Sequence, residues 1–336
     1  MEDIFQLFDM IHDSREKVLA TIVKVKGSAY KKEGSMMVFL ENHEQAGMLS
    51  AGCLETDLAI RALKVFENKK PAIIQFDMYD EGDLGWGQGV GCNGTIDILL
   101  ESVTKKLHED FIRVKELLGR NKMIVVLKNL DILGEYLYIS EDKEAFGHWS
   151  GPIPNVNFAA KSGVMNDRNV FQQTYQPRPR LFVFGAGPDA IPLVSLAAEI
   201  GFSVYVCDWR EEFCQQKYFP KAERLFVGFP KEVFKQFEFT SNDFVVIMTH
   251  NFQRDQEILT NLLHEKLKYL GILGPKERTR RLLETETIPD WIYAPIGLAI
   301  GAKGQNEIAV SIVAEMIEIW RKSIKRKIEH LWTLQE

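Results

Sequence analysis

The chain has 336 residues, enough for two ordinary domains, and its 46% hydrophobic and 26% charged residues are the balance of a globular protein. A net charge of -6 gives it no overall pull toward nucleic acid or anionic lipid, and no apolar run is long enough to span a bilayer. The acidic, amphipathic start lacks the basic segment and apolar core of a signal peptide, so a cytoplasmic location is expected, with the four cysteines as free thiols.

Residues 4–12 read as a helix and residues 18–25 as an apolar strand ended by Gly27. Residues 36–40 and 45–49 form a hairpin pattern around Glu41-Asn42-His43. Gly52 turns the chain into a helix over 55–67, where Leu58, Ala59, Ala62, Leu63 and Phe66 recur at helical spacing. A strand over 72–76 leads into a loop holding Gly82, Gly85, Gly87, Gly89, Gly91 and Gly94, and a strand over 95–100 leaves it. A helix over 107–118 and strands over 124–127 and 135–139 close this first domain, residues 1–150. Residues 151–178, punctuated by Pro152, Pro154 and Pro177, read as a linker with one strand around Val170.

From residue 179 to 336 strands and helices alternate. Strands are expected over 181–184, 203–207, 244–248 and 269–273, with helices over 190–200, 255–263, 277–284 and 306–327. Continuous apolar strands in a βαβ rhythm specify a doubly wound parallel sheet. Gly185-Ala186-Gly187-Pro188-Asp189-Ala190 follows the first of these strands and opens a helix. Gly185 makes the tight turn, Gly187 lets a phosphate approach, and Ala190 lets the helix pack closely. The helix N-terminus offers N–H groups to the anion. Asp208 closes the next strand, where an acid can bind a ribose 2′-hydroxyl and favour NAD over NADP; Arg210, two residues on, weakens that preference.

Thr249-His250 and Gly274-Pro275-Lys276 end the later strands, where ligands of such sheets sit. His250 reads as a proton shuttle, a ligand contact or a solvated loop histidine. Arg278, Arg280 and Arg281 offer a basic side to phosphate or a solvated helix face. Two Gly-Cys turns stand in the first domain, Gly52-Cys53-Leu54-Glu55 and Gly91-Cys92-Asn93-Gly94. Cys53 at a helix start and Cys92 among glycines suit a reactive sulfur or a soft metal ligand, or are small residues buried in tight turns. Cys207 lies inside a core strand and reads as packing; no CxxC pair specifies zinc.

In order and spacing these marks resemble the xanthine dehydrogenase accessory family of XdhC/CoxI type. They run from Gly27-Ser28-Ala29, residues 49–55 and 91–94 to residues 184–187, 249–250, 273–279 and 294–302. The resemblance implies an α/β protein with an N-terminal accessory domain and a C-terminal Rossmann-like domain. It implies a role in maturing molybdenum hydroxylases of purine catabolism: binding molybdenum cofactor (molybdopterin), aiding its sulfuration and delivering it to apo xanthine dehydrogenase. Cys53 and Cys92 would meet the metal or carry sulfur, with a cysteine desulfurase as a further partner and a homodimer as the assembly. The cofactor would lie between the two domains. Gly185, Gly187, Ala190, Asp208, Thr249, Gly274 and Arg278 would hold it, and His250 would serve the chemistry. The rival readings are an NAD(P)-dependent oxidoreductase with His250 as proton donor, and a non-catalytic nucleotide-binding partner of the enzyme.

Overall fold

A computed structural model describes residues 2–11, 15–52, 54–78, 94–165 and 168–332. It divides into two units, Met1–Pro177 and Arg178–Glu336.

The first unit holds two five-stranded antiparallel sheets. Helix α1 (Glu2–Ile11) precedes β1 (Lys17–Gly27), β2 (Met36–Leu40) and β3 (Gln45–Gly47). Helix α2 (Glu55–Asn68) then leads to β4 (Ala72–Asp77), and β5 (Gly94–Ser102) completes the order β3-β2-β1-β5-β4. The first seven residues of β1 are all buried, because both faces of its sheet are covered. On one face Ala20, Ile22, Ile98 and Leu100 pack on Leu58, Ala62 and Val65 of α2. On the other, Leu19, Val38 and Leu40 join Phe8 of α1 and Phe111 of helix α3 (Lys105–Gly119) in one core. Thr104 caps α3 by accepting the Leu107 N–H.

The second sheet, β8-β7-β6-β10-β9, shares that core through Ile124, Val126 and Tyr138. Its strands are β6 (Ile124–Asn129), β7 (Tyr136–Ser140), β8 (Ala145–His148), β9 (Gly163–Val164) and β10 (Val170–Tyr175). Here the structure departs from the sequence reading. The two strands expected to close the domain are followed by β8 and β9, and the strand expected around Val170 is β10, which belongs to the same sheet and is not part of a linker. β10 pairs with β6 over six residues, so this segment is built into the sheet. Its polar Gln172 is buried yet satisfied, donating from Nε2 to the Asn157 carbonyl at 2.7 Å.

The second unit is a six-stranded parallel sheet in the order β13-β12-β11-β14-β15-β16. Strand β11 (Arg180–Phe184) leads through α4 (Ala190–Glu199) to β12 (Ser203–Asp208) and β13 (Arg224–Val227). Short α5 (Pro230–Val233) and a 3-10 turn precede β14 (Phe244–Ile247). Then follow α6 (Phe252–Leu262), β15 (Tyr269–Ile272), α7 (Lys276–Leu283), β16 (Ile292–Tyr293) and α8 (Gly304–Trp332). This is the doubly wound Rossmann-like order, with its direction reversal between β11 and β14. Ile258, Leu259 and Leu282 cover one face of the sheet, packing on Phe184, Val245 and Ile272. α4 packs on α8, and Phe202 bridges Phe244 and Trp320 with ring centroids 5.1 and 5.7 Å away. No helix of the described residues is long and apolar enough to cross a membrane.

Candidate functional site

The carboxyl ends of β11, β12, β14 and β15 bring together most of the residues singled out from the sequence. In the fingerprint turn the Gly185 N–H donates to the Cys207 carbonyl at 2.9 Å, Ala186 N–H to Asp208 Oδ2 at 2.7 Å, and Ala190 N–H to the Gly187 carbonyl at 3.0 Å. Pro188 has no N–H. The N–H groups of Gly187 and Asp189 have no partner among the described residues, so the loop keeps two donors for an anion. Ala190 is fully buried and seats α4 on the sheet.

Two carboxylates set the electrostatics of this loop. Asp189 Oδ2 lies 2.6 Å from Nε2 of His250, which stands just past β14 with φ +59°, and Asp189 Oδ1 lies over Gly187. The pair places a negative charge beside the two free donors, balanced only when His250 carries its proton. Asp208, buried at the end of β12, accepts the Ala186 N–H and the Arg210 Nη2 at Oδ2, and the Arg210 N–H and Nε at Oδ1. All four acceptor positions are thus taken by its own chain, and a ribose hydroxyl reaches it only if Arg210 leaves. Arg210 in turn lies over Trp209 and Phe213, 4.8 and 4.6 Å from their centroids.

Thr249, Gly274 and Arg278 also converge, through a residue that the sequence did not flag. Buried Asp255 on α6 accepts the Thr249 hydroxyl at Oδ1 and the Arg278 Nη2, at 2.7 Å, at Oδ2. One side of Arg278 is therefore turned inward instead of facing a phosphate, while its buried Nη1 has no partner among the described residues. Gly274, at φ +123°, leaves the room this side chain crosses: a Cβ there would lie 3.3 Å from Arg278 Cδ.

Cys53 and Cys92, with most of the glycine-dense loop, lie outside the described residues. The residues flanking Cys53 are held by Glu55, a second group missed in the sequence. Its Oε1 accepts the N–H groups of Leu49 and Ser50 at 3.2 and 2.8 Å, and its Oε2 the Ser50 hydroxyl. That hydroxyl oxygen accepts the N–H groups of Gly52 and Leu54 at 3.2 and 3.1 Å. Burial raises the Glu55 carboxyl, but the hydrogen bonds, chiefly from Ser50, outweigh it and hold the group below its ordinary value. A depressed folded pKa adds stability above the unfolded value, lost as pH falls through the folded one. The first unit should therefore weaken on acidification below about pH 4.5. Glu55→Gln should cost about 1–2 kcal/mol at neutral pH and flatten the acid limb, read from denaturant midpoints over a pH series.

Cys207 and Cys214, the two thiols among the described residues, are both buried. Burial pushes Cys207 well up and Cys214 to about 11, and both pack inside the second unit. Among the described residues no group of three His, Cys, Asp or Glu side chains is arranged to hold a metal ion.

Comparison with known proteins agrees with this architecture. Residues 181–316 match the XdhC Rossmann domain, residues 10–77 the XdhC and CoxI family, and residues 105–176 the BH1974-like central domain. The last of these spans α3 and the second sheet. A Bacillus subtilis (strain 168) protein named as a probable xanthine dehydrogenase subunit is 40% identical over 92% of this chain and 94% of its own. The molybdenum cofactor insertion chaperone PaoD of Escherichia coli (strain K12) is 24% identical over 90% of this chain and 83% of its own. The crystal structure of a xanthine dehydrogenase (BH1974) from Bacillus halodurans superposes with a TM-score of 0.86, at 44% identity, covering 96% of each chain. By its sequence relatives and its fold alike, the chain belongs to the XdhC and CoxI family.

Proposed function

We propose that this chain is an accessory factor for molybdenum hydroxylases of the xanthine dehydrogenase type, which carries molybdenum cofactor as cargo, aids its sulfuration and passes it to the apo-enzyme. The observation that carries this reading is near full-length similarity to one relative named for cofactor insertion and to another named for xanthine dehydrogenase. The fingerprint turn supports it by its size. Two free N–H groups at Gly187 and Asp189 suit a single phosphate group. The ribose of NAD(P) would find Asp208 already held by Arg210. His250, paired with Asp189, is placed to hold or release a proton beside the bound anion.

The thiols of Cys53 and Cys92 are the soft donors such cargo needs, as metal ligands or as sulfur carriers supplied by a cysteine desulfurase. Protein purified anaerobically from cells that make the cofactor should contain molybdenum by elemental analysis. Cys53→Ala and Cys92→Ala should each retain about tenfold less, the order of loss when a metal site is disturbed. Full maturation of the partner enzyme by the double variant rejects the reading. A change in nicotinamide absorbance that depends on His250 would instead mark an NAD(P)-dependent oxidoreductase.

A further inference from the structure

A cavity of about 940 Å³ opens at the carboxyl ends of β15 and β16, walled on one side by α8 and lined wholly by the second unit. It lies on the half of the sheet edge away from β12 and β13, and its size is that of a cofactor site. Leu273, Ile288, Ile296, Leu298 and Ile308 give it apolar walls. Lys276, Arg280, Glu286 and Asp290 stand around it with charges that cancel, so the rim itself does not select an anion.

Glu315 is the feature that chooses a ligand. It projects from α8 into the wall and is only 9% exposed. Its Oε2 accepts the Tyr269 hydroxyl at 2.5 Å and the Gly297 N–H at 2.9 Å. Burial, and then the charge of Glu315, push the Tyr269 phenol well above its ordinary value, so it remains a donor to that oxygen. Glu315 Oε1 has no partner among the described residues. A carboxylate held by its other oxygen in a nearly buried side chain, with this oxygen still accessible at the cavity wall, offers a fixed acceptor to the N–H donors of a ligand. The neighbouring Ser311 hydroxyl cannot supply one, because it donates to the Leu298 carbonyl at 2.7 Å.

We propose that this cavity binds a flat fused heterocycle between its apolar walls, with Glu315 Oε1 accepting the adjacent N–H donors of a guanidine-like edge. Pterins and guanine share that edge. The pterin assignment rests on the accessory role proposed above; the edge recognition does not.

Calorimetric titration of the full chain tests it, using 6-hydroxymethylpterin and guanosine, with lumazine and inosine as counterparts lacking the amino group of that edge. At least one of the first pair should bind, and its counterpart should bind about tenfold or more weakly. Tighter binding of pterin than of guanosine assigns the site to the cofactor, and the reverse to a guanine nucleotide. Glu315→Gln keeps an oxygen for Tyr269 and Gly297 but turns a donor toward the ligand edge. It should melt as the wild type does while losing about a hundredfold in affinity. Equal binding by wild type and Glu315→Gln, or no binding of either pterin or guanosine, overturns the proposal. Molybdenum retained undiminished by Glu315→Gln removes only the pterin assignment. Pterin bound through Glu315 by a protein that never acquires molybdenum in cells removes only the accessory role.

Discussion

Lys128→Met should cost the first unit about 3–5 kcal/mol, the penalty for stranding a buried carboxylate. Lys128 on β6 and Glu101 on β5 form an ion pair between the two sheets, with side chains only 3% and 6% exposed. The phenols of Tyr136, Tyr138 and Tyr175 around them are pushed up by burial first, and by the Glu101 charge as a further cause, so none competes as an anion. With the ammonium gone, Glu101 faces these neutral groups and apolar side chains. Urea denaturation should show a lower midpoint at unchanged slope, and the melting temperature should drop by about 10 °C or more. Glu101→Leu combined with Lys128→Met should recover most of the loss, because two apolar side chains no longer pay for burying charge. A single variant as stable as the wild type would show that water reaches the pair.

This buried pair also explains where sequence reading stops. Lys128 and Glu101 continue their strands, yet a lysine after Ile124-Val125-Val126-Leu127 reads as a strand leaving the core. β10 was legible as a strand around Val170, but its place inside a sheet was not: Val-Phe-Gln-Gln-Thr-Tyr is polar at its centre, and the Asn157 carbonyl makes a buried Gln172 acceptable. β13 and β16 are four and two residues long and were missed, too short for any period to register. The main strands and helices of the Rossmann-like unit were legible because parallel strands covered on both faces must be continuously apolar. Of the site, the glycine turn and the strand ends could be read from spacing. Their partners could not: Asp189 with His250, Asp255 with Arg278 and Tyr269 with Glu315 stand 61, 23 and 46 residues apart. Only the crossover connections bring them together. Glu55 went unread because its hold on Leu49 and Ser50, and through Ser50 on Gly52 and Leu54, depends on how the loop folds back.

The two glycines of the fingerprint turn should separate folding from binding. A Cβ on Gly185 would lie 2.4 Å from the Met248 carbonyl oxygen and 2.7 Å from its carbon, and these main-chain atoms at the end of β14 cannot swing aside. The residue also has φ +120°, which L side chains rarely adopt. Backbone strain and overpacking each cost about 1–3 kcal/mol, so Gly185→Ala should destabilise the second unit by about 3 kcal/mol or more. A Cβ on Gly187 meets only Asp189 Oδ1, at 2.7 Å, and the backbone there is ordinary. That carboxylate can rotate away at the cost of its contact with the exposed His250, worth at most about 1 kcal/mol. Gly187→Ala should therefore melt within about 3 °C of the wild type. Its methyl group would still crowd the two free N–H groups, so phosphate or cofactor affinity should fall about tenfold or more. Denaturant midpoints and anion titrations on both variants give the two readouts independently. Equal destabilisation by both would mean that the turn is one rigid unit with no separate anion cradle, and retained affinity in Gly187→Ala would move the phosphate elsewhere.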